Sequence, residues 1–174
     1  EFYRLRIANQ SINLSIDSTE TVTVKAAYPQ MSYKYEVEGS ENCNTIKELS
    51  LKQMLLQSNI NGIVKNPNIG VDSVDVIVAR MLNDYKQDIK RNYIFKAPMQ
   101  ASSYYALFQT IQLGNTNSLI FNPRNNKEDV KVFAAVATSW DTYYPGAERG
   151  KNLHNIAIEG MKDIRIIENQ MAQQ

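Results

Sequence analysis

Between Ser11 and Glu38 the apolar residues recur at every second position, which confines this part of the chain to half-buried strands. Ile12, Leu14 and Ile16 alternate with Ser11, Asn13, Ser15 and Asp17. After a turn at Ser18-Thr19, Val22, Val24 and Ala26 continue the alternation, and beyond Pro29 it returns in Met31, Tyr33, Tyr35 and Val37 up to Gly39. A side-chain period of two residues is that of a strand with one face on a core. The reading is an antiparallel meander of three or four strands.

The period changes near Thr45. Thr45-Ile46-Lys47-Glu48 has the form of a capping box, which predicts a short helix from there to about Gln57 with Ile46, Leu49, Leu55 and Leu56 on its buried face. The Asn- and Gly-bearing segment from Asn59 to Gly70 reads as a loop. A long helix is expected from Ser73 to about Tyr93, capped by Asp72. Val74, Ile77, Val78, Met81, Leu82, Tyr85 and Ile89 form its apolar stripe, and Asp84, Lys86, Gln87, Asp88, Lys90 and Arg91 its solvated face.

Downstream, two-residue spacing is read again in Tyr105 to Leu113, Leu119 and Phe121, Val130 to Trp140, and Ile156 with Ile158. Four further strands are expected. Gly114-Asn115, Asn122-Pro123 and Asn125-Asn126 supply turns short enough for antiparallel neighbours. The expectation is one α+β domain over residues 1–174, an antiparallel β-sheet with one long and one short helix packed on it.

Composition narrows the function classes. The 174 residues include 19 Lys and Arg against 18 Asp and Glu, a formal net charge of +1. No general field draws the chain to nucleic acid or to an anionic membrane, and nucleic acid is not an expected partner. No apolar run reaches the roughly 20 residues that cross a bilayer. The chain begins at Glu1 rather than methionine, which fits a mature product with its leader removed and a trimmed sequence equally well, so this end does not place the protein. One cysteine excludes an intrachain disulfide, and a Cys-based zinc site cannot be assembled.

Candidate chemistry is sparse. Cys43 and His154 could form a thiol and base pair, but Cys43 sits between two asparagines, outside the local context of cysteine nucleophiles. A carboxylate pair such as Asp141 with Glu148 could act as acid and base, although carboxylates in a polar segment are ordinarily just solvated. No phosphate loop, nucleophile elbow or His-rich metal spacing occurs, so no catalytic residue, metal site or cofactor is expected. The ten tyrosines, several in pairs (Tyr33 and Tyr35, Tyr104 and Tyr105, Tyr143 and Tyr144), suit recognition as well as sheet packing. Asn9-Gln10-Ser11 and Asn13-Leu14-Ser15 match the glycosylation acceptor pattern.

Tyr144-Pro145-Gly146-Ala147-Glu148, followed by Asn155 to Ile166, resembles the C-terminal half of the RsiV-type extracytoplasmic domain family, also found beside peptidoglycan deacetylases and in Bacteroidetes envelope lipoproteins. There a tyrosine strand leads into a Gly-Gly-Ala-His turn and then a hairpin. Here Gly146 and Ala147 match, Pro145 and Glu148 replace the first glycine and the histidine, and Gly160 stands for the hairpin glycine. The resemblance implies a non-catalytic binding or sensing module in the periplasm or at the cell surface, lipid-anchored through a segment outside this chain, that recognises a protein or cell-wall ligand. Tyr143, Tyr144, Gly146, Glu148 and Arg149 are the expected binding residues. Two other readings stand beside it: a structural subunit of a larger envelope assembly such as a secretion or conjugation apparatus, and a hydrolase of unrecognised type using Cys43 or paired carboxylates.

Overall fold

A computed structural model describes residues 1–174. The chain is α+β, as expected, with all strand pairs antiparallel. Its contacts group into two compact units, residues 1–81 and 82–174.

In the first unit, β1 (Phe2–Ile7) pairs with β2 (Gln10–Ser15), and β3 (Thr23–Ala26) with β4 (Tyr35–Glu38). The expected meander is thus two separate hairpins. The alternation between Ile12 and Val37 is real, but Ile12 and Leu14 pair with the preceding Leu5 and Tyr3, not with Val22 to Ala26. Ile12, Leu14, Met31, Tyr35, Val37 and Cys43 form one buried cluster.

Helix α1 (Glu41–Lys65) runs for 25 residues, well beyond the short helix expected. Its cap is Ser40, whose Oγ accepts from the Cys43 amide at 3.1 Å. Thr45 lies inside the helix, with its hydroxyl donating to Glu41 O. The capping-box pattern was therefore matched one turn too late. Cys43, Ile46, Leu49, Leu56 and Ile60 line the buried face, whereas Leu55 is exposed. Helical hydrogen bonding continues through Asn59 to Lys65, read from sequence as loop, and stops before Pro67.

Helix α2 (Val71–Ile89) leads into a π-helical turn, Lys90–Ile94. All seven residues of its expected stripe are buried or half-buried. Asp72 is inside the first turn rather than at the cap, still favourably placed against the helix dipole.

In the second unit, α3 (Ala101–Leu107) precedes a hairpin of β5 (Thr110–Leu113) and β6 (Thr116–Leu119), turned at Gly114-Asn115. The strands expected over Val130 to Trp140 and at Ile156 to Ile158 are helices: α4 (Lys127–Tyr143) and α5 (Glu148–Ala172), packed on each other. The reason is visible in the burial. Val130, Phe133, Val136, Ala137 and Trp140 are buried at helical spacing, as are Leu153, Ala157, Gly160 and Ile164. Tyr105 and Leu107 likewise belong to α3.

Asn126 caps α4, its Oδ1 accepting from the amides of Glu128 and Asp129 at 3.0 and 3.2 Å. The Asp129 side chain is 2% exposed, and its Oδ2 accepts from Lys86 Nζ at 2.6 Å and from the Asn122 amide at 2.8 Å. Lys86, assigned to the solvated face by its spacing, is turned inward, with its ammonium 5.5 Å from the centre of the Phe121 ring. Next to it Tyr85 donates to Gln109 Oε1 at 2.6 Å. Burial holds the Tyr85 phenol above its ordinary pKa.

Removing one member of a buried ion pair costs roughly 3–5 kcal/mol, because the other charge stays desolvated. Lys86→Met should therefore lower stability by about 3 kcal/mol, read as a shift in the urea midpoint. Asp129→Asn should cost less. Lys86, 15% exposed, reaches water by a small rotation, and the amide can still accept from Asn122.

Candidate functional site

The expected binding residues Tyr143, Tyr144, Gly146, Glu148 and Arg149 lie at one end of the α4 and α5 pair. Tyr143 ends α4 and Glu148 begins α5, so the expected strand and hairpin are a helix, a four-residue turn and a helix. The turn closes through Tyr144 N–H on Trp140 O at 2.7 Å and Ala147 N–H on Tyr144 O at 3.1 Å. Gly146 sits at φ +80, a left-handed conformation that a residue with a Cβ adopts only with strain. Gly160, matched to a hairpin glycine, is instead mid-helix. A Cβ there would lie 2.6 Å from Pro123 O, so it is the absence of a side chain that lets α5 approach this loop.

Below the turn lies a connected series of rings. Phe133 and Phe108 are 5.7 Å apart, Phe108 and Tyr104 4.9 Å, Tyr104 and Trp140 5.2 Å, and Trp140 and Tyr144 5.1 Å between centroids. The series starts in the core, where Phe133 is 0% exposed, and ends on the surface at Tyr144, 43% exposed. Trp140 Nε1 donates to Pro98 O at 3.2 Å, which fixes the indole. Tyr143, beside this terminus, is 58% exposed.

Charged groups border the rings. The Arg149 guanidinium stands 5.3 Å from the Tyr104 ring centre. Glu148 lies in the first turn of α5, favourable to the helix dipole, and pairs with Lys151 at 3.3 Å. Asp141 takes His154 as its partner across the two helices. The Asp141 and Glu148 carboxylates weighed as an acid and base pair are thus engaged with different partners, His154 and Lys151.

The paired tyrosines divide between the two roles considered for them. Tyr35 and Tyr104 are buried, and Tyr33, Tyr143 and Tyr144 are exposed. Cys43 belongs to the core of the first unit at 0% exposure, its thiol donating to Ser15 O at 3.1 Å. No three His, Cys, Asp or Glu side chains group closely enough to hold a metal ion, and no helix is long and apolar enough to cross a membrane.

No sequence feature points to a groove that lies in the same unit. Phe108, Leu119, Phe133 and Ile156 floor a groove of about 470 Å³ beside α5. Arg124 and Asp163 on its rim face each other at 3.5 Å. Its residues come from four separate segments, and no local spacing announces them. No family model, curated protein or solved structure matches this chain.

The burial of Cys43 has a direct chemical consequence. Alkylation by iodoacetamide should be slow in the native protein and should accelerate to the rate of a free thiol at the urea concentration that unfolds residues 1–81. A native rate equal to or above that of a model thiol would show an accessible sulfur.

Proposed function

We propose that this chain is a non-catalytic binding or sensing module that captures a protein or cell-wall ligand through the turn joining α4 and α5. The carrying observation is the exposure of Tyr143 and Tyr144 at the end of a ring series anchored in the core. Recognition surfaces are enriched in tyrosine, tryptophan and arginine, because rigid aromatic groups contribute area at small entropic cost. Here the anchor is already immobile. Trp140 is fixed from below by Pro98 O, and Gly146 sets the course of the turn.

In this reading Tyr143 and Tyr144 make the apolar contact. Arg149 and Glu148 offer a donor and an acceptor at the rim, and Gly146 gives the backbone close approach. Placement in the bacterial envelope, periplasmic or at the cell surface, rests on the sequence resemblance of residues 143–166. A second reading, as a structural subunit of a larger envelope assembly, draws on Ile158, Met161, Ile166 and Met171, all exposed along α5. A strict monomer at high concentration in sedimentation would count against it.

The test is cosedimentation with purified peptidoglycan and capture of detergent-solubilised envelope proteins, with wild type and the Tyr143→Ala/Tyr144→Ala variant compared. The variant should lose capture at least tenfold, while stability, followed by the thermal midpoint, falls only by the loss of the Trp140 contact, about 0.5–1.5 kcal/mol. Equal capture by both proteins would refute the assignment of this surface.

A further inference from the structure

The outer edge of β1 carries a pattern that nothing else in its hairpin answers. Glu1 and Ile16 exchange backbone hydrogen bonds at 3.0 Å in both directions, which fixes the phase of the ladder. By the alternation of antiparallel pairs, Tyr3, Leu5 and Ile7 bond to Leu14, Ile12 and Gln10. The amides of Arg4 and Arg6 then face away from β2. The sheet has only these two strands, so that side is an open edge.

The side chains add a second asymmetry. Residues paired directly across an antiparallel ladder share a face, so Tyr3 and Leu5 continue the apolar surface of Leu14 and Ile12. Leu14 and Ile12 are 4% and 2% exposed, but Tyr3, Leu5 and Ile7 are 54%, 44% and 55% exposed. The apolar floor is covered on β2 and bare on β1. On the opposite face, Arg4 Nε donates to Asn13 Oδ1 at 3.1 Å and Arg6 Nε to Ala8 O at 3.3 Å. A guanidinium has five donors, so the terminal nitrogens of both arginines remain for an acid.

An exposed apolar edge is a template for a further strand, and strand addition is an established mode of peptide capture. We propose that β1 is a strand-addition site for an extended segment of another protein in which apolar residues alternate with aspartate or glutamate. The apolar residues would cover Tyr3, Leu5 and Ile7, and the acids would meet Arg4 and Arg6. The same unit makes this match internally: Tyr35-Glu36-Val37-Glu38 of β4 sets Val37 against Val24 and Glu36 against Lys25 of β3. A second copy of the chain fits poorly. Antiparallel pairing of two β1 strands about Leu5 places Arg4 of each copy opposite Arg6 of the other, and like charges directly opposite are destabilising.

Fluorescence polarisation of the whole chain against two synthetic octapeptides, valine alternating with glutamate or with lysine, tests the proposal. The glutamate peptide should bind and the lysine peptide should not. Arg4→Pro removes an N–H on the open edge and leaves the backbone bonds to β2 in place, losing on that side only the Arg4 side-chain bond to Asn13, so it should weaken binding at least tenfold. Arg4→Ser/Arg6→Ser, a surface change with little effect on the thermal midpoint, should do the same and carries the test if the proline variant unfolds. Equal affinity for the two peptides, absence of binding at millimolar peptide, or a dimer dissociated by the edge variants would each overturn the proposal. The last result would assign the edge to a second copy.

Discussion

The second unit depends on the Asp129 carboxylate. It is nearly removed from water and accepts from two donors that come from different parts of the sequence, the Lys86 ammonium on α2 and the Asn122 amide ahead of α4. A desolvated charge is tolerated only where such partners are in place. The start of α4 is thereby held to α2 and to the loop after β6. Asn126 closes the same corner by capping the helix with two backbone amides. Tyr85, one residue before Lys86, ties α2 to Gln109 in the same way, through a buried phenol that stays protonated.

From that corner α4 carries the arrangement to the opposite end of the unit. Its buried stripe includes Phe133 and Trp140, two members of the ring series that surfaces at Tyr144. Gly160, which admits Pro123 O against α5, sets the separation of α5 from the same loop. The exposed tyrosines are therefore the outer end of a packed scaffold. Every buried side-chain nitrogen and oxygen in the chain has a hydrogen-bond partner, so no buried polar group opposes the packing. On the proposed reading, a preorganised anchor of this kind lowers the entropic cost of binding.

How much of this could be read from sequence varied with the range of the deciding interaction. The stripe of α2 was legible because seven apolar residues keep helical spacing, and β2 and β4 were legible through their alternation. The strand partners were not, since Ile12 and Leu14 can pair with a strand on either side and only packing chooses. Val130, Val132, Ala134 and Val136 imitate a strand by falling on alternate positions, and β-branched residues strengthen the illusion. Yet Phe133 lies between them and Ala137 directly after, and both are fully buried, which no strand with one solvated face allows. Asn126 with Asp129 three residues later was an available cap signal for α4. For the candidate site, the tyrosines stand out by their type and Gly146 only through the family resemblance, while the rings beneath them come from α4 and from α3 with the residue after it, and have no local signature. Lys86 looked solvated for the same reason, because its partner lies 43 residues away.

The claim that Asp129 organises residues 82–174 is tested most directly by residue-resolved amide hydrogen exchange in the native protein. The Asn122 amide has no helix or strand to protect it, only the Asp129 carboxylate. It should exchange as slowly as the buried amides of α4 and through the same cooperative opening. Exchange of Asn122 at the rate of an exposed loop, with Phe133 and Ala137 still protected, would contradict the account.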